Sequence, residues 1–109
     1  MTKVTYRDTK LYQELVLSGH AGDRIVCAGI SAISQTLLAN LLNEENREQI
    51  RFQWKMNEPG EIWMRAWPTE EARESIRGMF RFTMEGLKHI AEDYPENMEI
   101  KEERKNGGI

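Results

Sequence analysis

The chain contains one cysteine, Cys27, and a histidine, His20, stands seven residues before it in Ser18-Gly19-His20-Ala21-Gly22-Asp23-Arg24-Ile25-Val26-Cys27-Ala28-Gly29-Ile30-Ser31. An apolar strand pattern ends just before this stretch and a helical pattern starts within it. A thiolate is the nucleophilic form of cysteine, and both a helix N-terminus and a nearby histidine favour it. Imidazole exchanges protons near neutrality, so His20 suits the general base. Unpaired amides in a first helical turn can bind a developing oxyanion, as acyl transfer requires. A plainer reading competes with this one. A lone cysteine is most often a small buried hydrophobe, and a strand-end histidine most often meets solvent or a backbone carbonyl. Ser31, Ser34 and Gln35 follow Cys27 at helical spacing and suggest a polar face beside it. Residue types alone leave the two readings balanced.

The elements that position this pair are legible as patterns. Val4–Tyr6 and Leu11–Ser18 read as strands, the second with period-two alternation. Gly19 and Gly22 flank His20 and mark a loop. From about Arg24 to Asn43, Val26, Ile30, Ile33, Leu37 and Leu41 form one apolar stripe, with Asp23 as N-cap. The small residues Ala28, Gly29 and Ala32 would let another backbone come close. Ile50, Phe52, Trp54 and Met56, then Ile62, Met64 and Ala66, alternate on either side of Asn57-Glu58-Pro59-Gly60, a hairpin signal. A second helix is expected from Pro68-Thr69, with Glu70 and Glu71 in its first turn and Pro95 as its stop. Its stripe includes Ile76, Phe80, Thr83, Leu87 and Ile90. A last strand is expected at Asn97–Lys101, followed by a fraying tail.

The order ββαββαβ implies an α+β domain, two helices packed on a small, mainly antiparallel sheet. One domain over residues 1–101 and a polar tail at 102–109 are expected. Trp54 fits the core-facing register. Trp63 and Trp67 fall on the opposite face, where they imply either a dimer or peptide surface or a second face buried beneath a helix. His89 lies off the apolar stripe of the second helix and reads as solvated. One cysteine and two distant histidines fall short of the three or four clustered ligands a metal needs, so no metal or other cofactor is expected.

With 39% apolar and 30% charged residues among 109, the chain reads as an ordinary globular domain. A net charge of −3 gives no case for direct nucleic-acid binding. A single cysteine makes no intrachain disulfide, so no oxidising compartment is needed. The N-terminal residues lack a signal-peptide pattern, and no apolar run approaches the ~20 residues of a membrane span. A cytoplasmic protein without membrane contact is expected.

The segments Gly19-His20-Ala21 and Ile25-Val26-Cys27-Ala28-Gly29-Ile30-Ser31-Ala32 resemble the ribosomal-processing cysteine proteases called Prp. Their pattern is Gly-His-Ala, an acidic residue, then Val-Cys-Ala with a serine one helical turn later. Chain length and element order agree with that family. The resemblance implies His20 and Cys27 as a catalytic dyad, with Gly19 and Ser31 in support and Asp23 as the nearest acidic residue. This chain departs from the pattern twice. The loop between the dyad residues is shortened to Ala21–Val26, and Arg24 stands three before the cysteine where the family carries its acid, Asp23 lying one place earlier. The implied activity is removal of an N-terminal extension from a large-subunit ribosomal protein. Alternatives are a phage capsid or scaffold-processing protease of the same family, and a catalytically silent dimeric peptide-binding module. A redox-sensing thiol ranks last, since no resolving cysteine exists. A protein substrate and a homodimer are the implied partners.

Overall fold

The computed structural model describes residues 1–57 and 60–105. Its elements are β1 (Thr2–Thr9), β2 (Gln13–Ser18), α1 (Arg24–Asn46), β3 (Ile50–Asn57), β4 (Glu61–Pro68), α2 (Arg73–Asp93) and β5 (Met98–Lys105). They build one five-stranded sheet in the order β3-β4-β2-β1-β5. Neighbours run antiparallel except β1 and β5, which are parallel. The expected ββαββαβ α+β fold with a mainly antiparallel sheet is therefore the observed one.

Alternation along the strands decides which sheet face the helices cover. Val4 and Tyr6, Leu15 and Leu17, Ile50 and Phe52, and Met64 and Ala66 point to one side and are buried. Val26, Ile30, Leu37 and Leu41 of α1 and Ile76, Phe80, Met84 and Leu87 of α2 complete a single core with them. Each of the Val, Leu, Ile, Phe and Met side chains among them contributes about 1.5–3 kcal/mol by leaving water. By length and composition α1 is apolar enough to cross a membrane, contrary to the expectation. Its buried stripe packs into this core instead.

Element ends differ from the sequence pattern for local reasons. β2 begins at Gln13 rather than Leu11, because Thr9 closes a tight turn over residues 9–12. The Thr9 amide donates to the Tyr12 carbonyl, and the Tyr12 amide donates to Thr9 Oγ1. Leu11 is left exposed at the tip. α2 starts at Arg73, not at Thr69, because β4 runs through Pro68 and a turn intervenes. Thr69 Oγ1 accepts from the Ala72 amide at 3.2 Å, and Glu74 becomes the acidic residue of the first helical turn. β5 continues to Lys105, past the expected end at Lys101, paired with β1 as far as Thr9. Residues 58–59 of the expected hairpin turn and 106–109 of the expected tail lie outside the described residues.

Three side-chain placements also depart from expectation. Trp54 and Met56 keep the helix-facing register of β3 but are exposed, because helical cover stops after Phe52. Ala28 and Ala32 face solvent, and Gly29 receives a side chain, not a backbone: a Cβ there would sit 3.0 Å from Ile90 Cδ1. Trp63 and Trp67 lie on the sheet face without helices, so the helix-covered alternative fails. Neighbouring side chains half-cover them instead. Arg51 stacks 4.6 Å from the Trp67 ring, and Trp63 Nε1 donates to Glu14 at 2.8 Å.

Candidate active site

The loop from Gly19 to Asp23 carries His20 from the end of β2 to the start of α1, and four contacts hold it. Gly19 has φ +87°, a left-handed conformation that glycine adopts without strain. Its carbonyl accepts from Thr2 Oγ1 at 3.3 Å. Ala21 is buried in the core, and its carbonyl accepts from Asn97 Nδ2 at 2.7 Å. Gly60 packs against the same loop: a Cβ at that position would lie 2.8 Å from the Gly19 carbonyl oxygen and 3.5 Å from His20 Cε1. The residues on both sides of His20 are thus tied to β1, to the turn before β5 and to the β3–β4 hairpin. The imidazole itself is exposed.

Cys27 closes the first turn of α1, half-buried against the core. Asp23 caps this helix as expected, its Oδ1 accepting from the Ile25 amide at 2.9 Å and the Val26 amide at 3.1 Å. The Cys27 amide donates to the Asp23 carbonyl at 2.9 Å. These bonds correct one expectation: the amides of Ile25, Val26 and Cys27 already have acceptors and are not held ready for an oxyanion. They also account for Asp23, which starts the helix and does not line the cavity described next.

His20 and Cys27 open into one cavity of about 220 Å³, together with Gly19 and Ser31. Helical spacing places Ser31 and Gln35 one and two turns beyond Cys27, and both line that cavity. Ser34 does not; it is buried and donates to the Ile30 carbonyl at 2.8 Å. The opposite wall is Met56, Asn57, Gly60, Glu61 and Ile62 from the β3–β4 hairpin. Sequence reasoning missed this wall. The alternation that places Met56 with Phe52 marks the correct face, but not that the face opens there into a cleft. His89 is exposed on α2 and does not reach the cavity. Among the described residues no group of three or more His, Cys, Asp or Glu side chains is arranged to hold a metal.

The carboxylates with the most perturbed surroundings lie elsewhere. Burial alone pushes the Glu14 carboxyl up, but hydrogen bonds from Trp63, Arg65 and Arg7 outweigh it and hold the group below the usual carboxylate range. Asp8 is similar: burial raises it, and Gln13, Arg77 and Arg81 bring it below that range.

The fold has counterparts among solved structures. The ribosomal processing protease Prp from S. aureus, in complex with a covalently linked product peptide, matches with a TM-score of 0.74 at 20% identity, over 94% of this chain and 100% of that one. The same protease with a substrate peptide matches with a TM-score of 0.69 at 18% identity, again over 94% and 100%. SMU.848 from Streptococcus mutans matches with a TM-score of 0.69 at 25% identity, over 95% of each chain. No curated protein sequence matches. The family model described as cysteine protease Prp matches residues 1–99, from the first strand through both walls of the His20–Cys27 cavity and on into β5. A match that takes in almost every element of the fold leaves one assignment: the chain belongs to the cysteine protease Prp family.

Proposed function

We propose that this cysteine protease uses His20 and Cys27 as its dyad and removes an N-terminal extension from a large-subunit ribosomal protein. The observation that carries the reading is the shared cavity, lined by both the only thiol and an imidazole on an anchored backbone, where one peptide can meet the two. His20 takes the Sγ proton, and the sulfur adds to the scissile carbonyl carbon. The imidazolium then gives its proton to the leaving amine as the C–N bond breaks. Water hydrolyses the remaining thioester, again with His20 as base. Because the first-turn amides are engaged, the oxyanion falls to the Ser31 hydroxyl, one turn beyond Cys27 on the cavity wall. Gly19 supports His20 through its left-handed turn, and Asp23 supports Cys27 by fixing the helix start.

β3 is an edge strand whose end lines the cavity. An extended substrate can add to that edge through main-chain hydrogen bonds, with its apolar side chains on Trp54 and Met56. The same reading includes a cytoplasmic homodimer mated through the helix-free face that carries Trp63 and Trp67. Incubation with an extended ribosomal protein, followed by mass spectrometry, tests the function. One cut near the N-terminus, absent with Cys27→Ser, is the expected result. Cutting of a phage capsid precursor alone moves the substrate to the phage class, and a peptide bound equally by wild type and Cys27→Ser without cleavage overturns proteolysis.

A further inference from the structure

At the end of β1 away from the active site, about 23 Å along the strand at the usual rise per residue, a second cavity of about 490 Å³ opens between the C-terminal ends of parallel β1 and β5 and the start of α2. Six cations line it: Lys10, Arg73, Arg77, Arg81, Arg104 and Lys105. Only Asp8 and Glu74 oppose them. In a chain of net charge −3, this concentration is a local feature rather than a reflection of composition.

The two carboxylates are already engaged. Asp8, whose side chain is only 8% exposed, pairs with Arg77 at 3.2 Å and Arg81 at 3.4 Å, and Gln13 Nε2 donates to it at 2.6 Å. Glu74 pairs with Arg77 at 2.8 Å. Asp8 therefore fixes two guanidinium groups at the cavity, and with Glu74 it offsets only two of the six positive charges. Lys10, Arg73, Arg104 and Lys105 form no ion pair among the described residues. The Nε of Arg73 is buried and has no hydrogen-bond acceptor among the described residues. A buried donor without a partner is rare in folded proteins, and Arg73 is one of the residues that line the cavity.

We propose that this cavity binds linked phosphate groups, as a compact polyphosphate or a nucleic-acid backbone carries them. Guanidinium forks match phosphate oxygens bidentately, and the lysines add point charge at the rim. The volume and the spread of six cations suit more than one phosphate. The inference is independent of proteolysis, and the Cys27→Ser chain binds alike.

Titration calorimetry with tripolyphosphate, and fluorescence anisotropy with a labelled single-stranded RNA at low and high salt, test it on the full chain. Saturable binding of either probe is expected, weakened at least about tenfold in Arg73→Gln/Arg104→Gln. The exposed pair Lys10→Gln/Lys105→Gln provides a second variant set should the first fold poorly, with weakening of the same sign. Lys3→Gln/Lys55→Gln, which removes equal charge outside the cavity, is expected to bind within about twofold of wild type. Binding of tripolyphosphate alone assigns a compact ligand, whereas RNA binding with a steep salt dependence assigns a backbone. Absence of saturable binding by both probes overturns the proposal, as does equal weakening in the control pair.

Discussion

The two ends of the sheet treat polar side chains in opposite ways. At one end Asp8 has three donors, and on the helix-free face Glu14 likewise has three. At the other end the backbone around His20 is anchored on either side, yet the imidazole is exposed and Cys27 faces an open cavity. The carboxylates are held by their side chains, and His20 and Cys27, the proposed dyad, by their backbone. A catalytic group must exchange partners during turnover, so this division is what the proposed chemistry requires. It also warns against reading function from perturbed ionisation alone, because the shifted carboxylates here belong to structural networks.

The comparison breaks most visibly under substitutions that separate activity from stability. His20→Ala is expected to lower kcat by about 10²–10⁴-fold, the usual contribution of a general base, while its melting temperature stays within about a degree of wild type. Parallel loss of activity and stability in a thermal melt would show that His20 is a structural residue. Glu14→Ala is expected to do the reverse. It costs about 3 kcal/mol in urea denaturation, since it strips a buried carboxylate from Arg7, Arg65 and Trp63, and the folded fraction keeps its activity. Asn97→Ala sits between the two. It frees the Ala21 carbonyl and loosens the His20 loop, with an expected kcat loss of about tenfold, small next to that of His20→Ala.

The pH dependence of stability is the smallest expected effect. Asp8 and Glu14 titrate lower when folded than when unfolded, so the unfolded chain takes up protons first as pH falls. Their stabilisation is complete above the ordinary carboxylate range near pH 4. It declines through that range and is lost below their folded values. Urea midpoints measured from pH 6 to pH 2.5 are expected to fall less steeply in Glu14→Gln than in wild type. Identical slopes would remove Glu14 from the acid-sensitive network.

Much of the site was legible because its parts are local in sequence. Asp23 caps α1, glycines flank His20, and Cys27 closes the first turn, all within ten residues. Apolar periodicity likewise located both helices and every strand. What stayed hidden is non-local. Alternation assigns Trp54 and Met56 to a face, but whether a helix covers that face depends on where α1 lies across a sheet ordered β3-β4-β2-β1-β5. That same strand order swings the β3–β4 hairpin onto the His20 loop and makes Gly60 and Glu61 part of the cavity. The occupied amides of Ile25 and Val26 follow from the orientation of one carboxylate, which the N-cap signal implied but the oxyanion expectation overlooked.

The central claim is that His20 activates Cys27. Because the chain has a single cysteine, its alkylation by iodoacetamide reports on that thiol alone. Rates measured from pH 5 to pH 9 are expected to stay high at pH 6–7 in wild type. In His20→Ala they are expected to fall at least about tenfold over that range, as the thiol loses the base that takes its proton. Superimposable profiles for the two proteins would contradict the account.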